Sequence, residues 1–124
     1  MFGEIEERLR GDRFQPAIDV FETHDALVVR VELPGLESED LSVRIDGDVL
    51  HIRGVRNVPR EEGVMRLHRM EIAFGPFERA VRVHVAFERE RVTAHLEDGF
   101  LRVVLPKKRA VRRTVEIDRE GEGR

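Results

Sequence analysis

The fold is decided by VTAHLEDGFLRVVLPKK, residues 92–108. Apolar and polar residues alternate from Val92 to Glu97, and this period of two is typical of a strand with one buried face. Asp98-Gly99 then suits the positive φ angles of a tight hairpin turn. A second strand, apolar on both faces, runs to Pro106, which cannot donate a hydrogen bond to a neighbouring strand. The stretch predicts a β-hairpin that lies inside a sandwich or against a partner, followed by a charged tail.

The composition is that of one soluble domain with a hydrophobic core, since the chain has 124 residues, 40% of them hydrophobic. Charged residues make up 38% but leave a net charge of only −3, so no overall field draws the chain to nucleic acid or anionic lipid. The absence of cysteine excludes disulfides and thiolate chemistry. Neither a membrane-spanning apolar run nor a signal-peptide core is visible, so a cytoplasmic location is expected.

The chain from Pro16 onward is a succession of short alternating segments separated by turn signals. A charged stretch at Glu37–Asp40 predicts a single helical turn capped by its own carboxylates. This succession predicts an all-β, antiparallel β-sandwich of seven or eight strands. Besides the hairpin, strands are expected near Ile18–Phe21, Ala26–Leu33, Leu41–Asp46, Val49–Arg53 and Phe77–Val83.

Two segments are less regular. Asn57–Gly63 is polar and reads as a loop, and Val64–Met70 is a short apolar and basic segment that suits an edge strand. Near the N-terminus, Phe2, Ile5 and Leu9 lie on one side of a short helix. An isolated helix this short is only marginally stable. Two alternatives follow: a frayed terminus, or an apolar arm that contacts a neighbouring subunit or a client protein.

The residues needed for catalysis or metal binding do not occur in a productive pattern. The five histidines are scattered without metal-ligand spacing, and Asp46-Gly47-Asp48 is typical of a turn between strands. Neither Ser38 nor Ser42 lies in a nucleophile motif, and no phosphate-binding glycine motif occurs. We therefore assign no catalytic, metal or cofactor-binding residue and do not expect an enzyme.

A basic run at Pro106–Arg113 raises the alternative of nucleic-acid binding, because arginine and lysine contact phosphates. The run has no interleaved aromatic residue, and the whole chain lacks Tyr and Trp for base stacking. A solvated linker is the better interpretation, so neither nucleic acid nor a membrane is expected as a partner.

Three segments follow one another in the chain: VELPGLESEDLSVRIDGDVLHIRG at 31–54, AFGPFERAVRVHV at 73–85 and AHLEDGFL at 94–101. In this order and at these separations they resemble the small heat-shock proteins, the α-crystallin family, of the bacterial type. AHLEDGFL at 94–101 is similar to the family signature A-x-x-x-x-G-x-L, although Phe100 replaces the usual small aliphatic residue. VELPGLESEDLSVRIDGDVLHIRG at 31–54 and AFGPFERAVRVHV at 73–85 resemble further family segments, with Val83-His84 in place of Leu-Pro. The resemblance implies an immunoglobulin-like α-crystallin domain.

The resemblance also implies boundaries and an activity. A short N-terminal arm would cover residues 1–14, the domain 15–108, and a C-terminal extension 109–124. The implied function is an ATP-independent holdase, which binds partly unfolded clients and prevents their aggregation without a cofactor. A rival hypothesis is a β-sandwich co-chaperone that docks one defined partner and needs neither a swap loop nor a tail anchor.

The implied dimer forms when the strand on the loop is swapped into the partner's sheet. Arg79 matches the family's interface arginine, and we expect it to pair with a carboxylate there, since its guanidinium can bind a carboxylate bidentately. Alternatively, Val64–Met70 is a local edge strand and Arg79 an ordinary exposed arginine. The expected dimer interface comprises Val64, Met65, Leu67, Met70 and Arg79.

The tail carries Val115-Glu116-Ile117, which resembles the family's I/V-x-I/V anchor. On an extended segment the two aliphatic side chains point the same way and can fill adjacent pockets. Residues 107–114 extend over about 26–29 Å, enough to reach a neighbouring dimer. The alternative is a disordered tail. The expected groove for the anchor lies between two strands. One strand holds Val43 and Ile45, and the other holds Val92 and Ala94.

Only about 14 residues precede the domain. The resemblance implies a longer apolar arm, which in the family drives large oligomers and contacts clients, so either the protein is naturally short or its arm has been trimmed. We therefore expect a dimer, or a modest assembly of dimers joined by tails, rather than a large shell. Phe2, Ile5 and Leu9 are candidate client contacts, and the groove and the dimer edge are the alternatives.

Overall fold

The computed structural model describes residues 14–109 and 114–118. Nearly all regular structure there is β, with short 3₁₀ turns at Ser38–Asp40 and Arg89–Arg91. The predicted all-β fold is confirmed. The strands are β1 Ile18–Glu22, β2 Ala26–Glu32, β3 Leu41–Asp46, β4 Val49–Arg56, β5 Gly75–Arg82, β6 Thr93–Glu97 and β7 Phe100–Pro106.

These strands form two antiparallel sheets. One has the order β1-β2-β7-β6 and the other β3-β4-β5. The inward side chains of both sheets share one hydrophobic core, as in a β-sandwich. The expected alternation is confirmed on β7, where every second residue is buried. The most deeply buried large side chains are Leu33, Leu50, Ile52, Leu105, Val28, Val29, Val31 and Val103.

The hairpin of β6 and β7 has the predicted turn. Asp98 and Gly99 adopt φ angles of 53° and 79°, the pair of positive values that a type I′ turn requires. Glu97 lies opposite Phe100 at the first rung. The Leu33 N–H donates to the Gly99 carbonyl over 2.7 Å, which fastens the turn to the end of β2. The turn thus fixes the register of the β6–β7 pair.

Several boundaries differ from those predicted. β4 continues to Arg56 rather than ending near Gly54, because the ladder with β5 extends to the pair Arg56–Gly75. The 3₁₀ turn at Arg89–Arg91 was not among the predicted elements. Val64–Met70 forms no strand in the described single chain, and most of it is exposed. The alternative of a local edge strand at Val64–Met70 is therefore wrong for the described chain, because no neighbouring strand forms hydrogen bonds with this segment.

The described residues also bear on membrane insertion. Within 14–109 and 114–118, no helix is long and apolar enough to cross a bilayer.

Candidate functional site

The relative placement of the sheets follows from contacts near the start of the domain. Arg79 Nη1 on β5 donates to the carbonyl of Pro16, just before β1, over 2.7 Å. The rings of Phe14 and Phe77 meet edge to face at 5.4 Å. Both contacts place β5 beside β1. Given the strand orders, the opposite edges of the two sheets, β3 and β6, lie on the other side of the sandwich.

The candidate groove is formed by these opposite edges. Val43 and Ile45 on β3 are half-buried and pack against the core. Val92 does the same directly before β6, whereas Ala94 in the middle of β6 is exposed. The structure thus places Val43 and Ile45 on β3, Ala94 on β6 and Val92 directly before β6, at sheet edges that no other strand of the described residues covers.

The 3₁₀ turn Ser38–Asp40 leads directly into β3, the edge strand that carries Val43 and Ile45. The Glu37 N–H donates to the Asp40 carboxylate over 3.1 Å, so the turn is capped by its own carboxylate as predicted. The Asp40 carbonyl lies over Gly54 on β4, where an added Cβ would be only 2.5 Å from that oxygen. Only glycine allows so close an approach. Gly54 therefore lets the turn pack down and sets where β3 begins.

The predicted tail anchors are free of the chain's own sandwich. Val115 and Ile117 are 74% and 83% exposed. No strand includes them within residues 114–118. Burial of these two side chains against another surface would lower the free energy, because both are exposed to water in their own chain.

The long loop, residues 57–74, joins β4 to β5 and holds four of the five predicted dimer-interface residues. Met65 is 90% exposed, and Val64 and Leu67 are also exposed, whereas Met70 is half-buried. The described structure carries ten exposed large hydrophobic residues, of which five lie on this loop and two on the tail. Apolar exposure is thus concentrated in two segments outside the sandwich.

Arg79, the fifth predicted interface residue, is half-buried on β5. Among the described residues its hydrogen-bond acceptor is the Pro16 carbonyl rather than a carboxylate. The guanidinium has five N–H donors, so this bond leaves it able to bind a carboxylate as well. Its predicted pairing across a dimer stays a prediction.

The charged side chains form surface pairs rather than a reactive centre. His51 lies 3.7 Å from an Asp46 oxygen and 4.0 Å from a Glu78 oxygen, and His95 lies 3.1 Å from a Glu97 oxygen. Within the described part of the chain, no group of three histidine or acidic residues has a geometry that would hold a metal ion.

Comparison with known proteins identifies the architecture. The model of the Hsp20/alpha crystallin family matches residues 19–118. The chain belongs to this family. Its Hsp20 domain is similar to Heat shock protein 16.0 from Schizosaccharomyces pombe, with a TM-score of 0.70 and 33% identity over 86% of this chain and 100% of that one. A small heat-shock protein from Xylella fastidiosa has a TM-score of 0.74 and 25% identity, covering 86% and 99% of the two chains.

Relatives found by sequence support the same family. Spore protein SP21 of Stigmatella aurantiaca is 34% identical over 95 residues, which cover 77% of this chain and 56% of that protein. The 17.8 kDa class I heat shock protein of Solanum lycopersicum is 41% identical over 91 residues, which cover 73% and 59%. The match thus spans less than two thirds of these relatives' length. The predicted resemblance to small heat-shock proteins is confirmed.

Two features of the site were missed by sequence reasoning. Phe14, which the predicted boundaries assign to the arm, is buried with 8% exposure in the Hsp20 core. Arg56 lies over the rings of both Phe14 and Phe74. An isolated aromatic residue outside any alternating pattern gives no periodic signal, although QPAI directly after Phe14 does mark the approach to a strand. The candidate client contacts Phe2, Ile5 and Leu9 lie outside the described residues.

Proposed function

We propose that this Hsp20-family protein is an ATP-independent holdase, which binds partly unfolded proteins and keeps them from aggregating. The family consists of chaperones rather than enzymes, which supports a chaperone role. The observation that carries the proposal is the placement of exposed apolar side chains. A closed sandwich retains its own core, while the long loop and the tail present apolar surface for other chains.

Tail docking is the first proposed interaction. Val115 and Ile117 of one subunit would fill the groove between β3 and β6 of another. The uncovered edges and the exposure of Ala94 support this assignment. Release of the tail anchor from the groove would expose the apolar surface of both. Heating should therefore increase client capture by releasing the tail.

Dimerisation is the second proposed interaction. The loop strand Val64–Met70 of one subunit would pair with the edge of β1 in the other. Since β3 and β6 line the groove and β5 is continuous with the long loop itself, β1 is the remaining edge. Val20, in the middle of β1, is exposed, which suits a residue that packs against a neighbour on an added strand. Arg79 would support the arrangement by holding the segment that leads into β1.

The dimer can be tested by disulfide trapping, because the chain has no native cysteine to interfere. The double variant Val20→Cys with Met65→Cys should form an intersubunit crosslink on mild oxidation. A matched pair, Asp48→Cys with Met65→Cys, places the second thiol at the β3–β4 turn, away from β1, and should not crosslink. Equal crosslinking of both pairs would contradict strand exchange onto β1.

The activity is tested by light scattering from a heated client without nucleotide. A holdase should suppress scattering from several unrelated clients. Protection of only one defined partner, through a stoichiometric complex, would instead support the co-chaperone alternative. The same proposal includes the domain boundaries at residues 14 and 108. It also includes client contacts at Phe2, Ile5 and Leu9, which deletion of the arm tests.

A further inference from the structure

Three segments of the chain meet around the guanidinium of Arg56. Arg56 is the last residue of β4 and lies opposite Gly75, the first residue of β5. Its Cζ is 4.8 Å from the ring centre of Phe14 and 5.0 Å from that of Phe74. Phe14 begins the described domain, and Phe74 is the last residue of the long loop. Arg56 thus contacts the N-terminal segment and both ends of that loop at once.

The contact is suited to hold these segments together. A cation over an aromatic face is attracted by the ring quadrupole, and more strongly when water is partly excluded. Arg56 and Phe74 are half-buried, and Phe14 is buried edge-on against Phe77. The planar guanidinium stacks on rings, which the ammonium of a lysine does not. The Arg79–Pro16 hydrogen bond fixes the same N-terminal segment a few residues further on.

We propose that Arg56 is a positioning residue that couples Phe14, at the root of the N-terminal arm, to the long loop. The ladder pair Arg56–Gly75 already joins the backbone ends of the loop, and the contact of Arg56 with Phe74 further restricts the last loop residue. This restraint lowers the entropy that the loop strand must lose when it binds another subunit. Strand exchange would therefore depend on Phe14 being docked, so a force or ligand that pulls on the arm also weakens the dimer. The link to dimerisation rests on the proposed strand exchange, but the coupling itself does not.

Limited trypsin digestion measures the coupling directly, because the long loop contains Arg60, Arg66 and Arg69. We would compare Phe14→Leu, which keeps apolar volume but removes the ring, with Arg56→Gln and with the double variant. Each single change should speed cutting in the loop about five- to tenfold, as loss of one strong cation–π contact implies. Because Arg56 also lies over Phe74 and Phe14 also packs against Phe77, the double variant should be cut faster than either single variant, but by less than the product of the two single effects.

Matched controls separate coupling from general loosening. Arg89→Gln removes another arginine that lies over a phenylalanine ring, at 5.2 Å, but far along the chain from the loop, and it should leave loop cutting unchanged. Cutting at Arg102, within β7, reports global unfolding and should not rise. Arg56→Lys should retain more protection than Arg56→Gln but less than wild type, because lysine keeps the positive charge but lacks the planar guanidinium that stacks on the rings.

The same variants are then compared by sedimentation velocity. The dimer dissociation constant should rise about five- to tenfold in each single variant, and in the double variant by less than the product of these two effects. Additive effects on cutting, or unchanged cutting, would overturn the coupling. Coupled cutting with an unchanged dissociation constant would overturn its link to dimerisation. A failed client assay with intact coupling would instead refute the holdase proposal alone.

Discussion

Replacing Val115 and Ile117 together by glycine removes both proposed anchors of the tail. Full burial of one such side chain contributes about 1.5–3 kcal/mol. Since 74% and 83% of their surface is exposed in the chain, docking can bury most of it. Allowing for the cost of ordering the tail, the pair should contribute about 2–4 kcal/mol. Tail docking should therefore weaken by about 30- to 700-fold.

The assay is sedimentation velocity over a range of concentrations, where assemblies larger than the dimer should disappear from the double variant. Glu116→Gly is the matched control, because it adds the same backbone freedom at a side chain that points away from the groove. The control should keep the wild-type distribution. The reasoning is refuted if the double variant assembles like wild type, or if Glu116→Gly disrupts assembly equally.

Three further changes test other parts of the structure. Gly54→Ala should lower the free energy of unfolding by about 1–3 kcal/mol, because its Cβ meets a backbone carbonyl. Gly63→Asn places its side chain in open space at a φ of 76°, which asparagine tolerates better than most residues, and should cost less in the same urea titration. Gly99→Val forces a branched residue to a φ of 79° and should cost at least about 1 kcal/mol in thermal unfolding. Arg79→Met should raise the dimer dissociation constant about tenfold, whereas the exposed Arg82→Met should not.

The sandwich was predictable because its signals are local. Alternation of apolar residues marks β2 and β7, and Asp98-Gly99 defines the turn before β7 through its backbone preferences. Such patterns require only neighbours in sequence. The capped turn at Ser38–Asp40 was predictable for the same reason, since its carboxylate lies three residues from the amide that it accepts from.

The remaining features depend on contacts between distant segments. Nothing near Arg56 in the sequence indicates that its guanidinium lies over Phe14, 42 positions earlier. The apolar pattern at Val64–Met70 was visible, but a strand needs a partner, and none is supplied within the described chain. The groove is intermediate, because the resemblance to the family implied its four residues, whereas the position of these residues at uncovered sheet edges follows from the order of both sheets.

The central claim is that this Hsp20-family protein suppresses aggregation by itself. The most direct measurement is light scattering from a thermally unfolding client, titrated with the full chain in the absence of nucleotide. The account predicts that scattering falls progressively and is largely suppressed near one subunit per client, for more than one unrelated client. Undiminished scattering at equimolar and higher ratios, with the protein itself still folded, would contradict the claim.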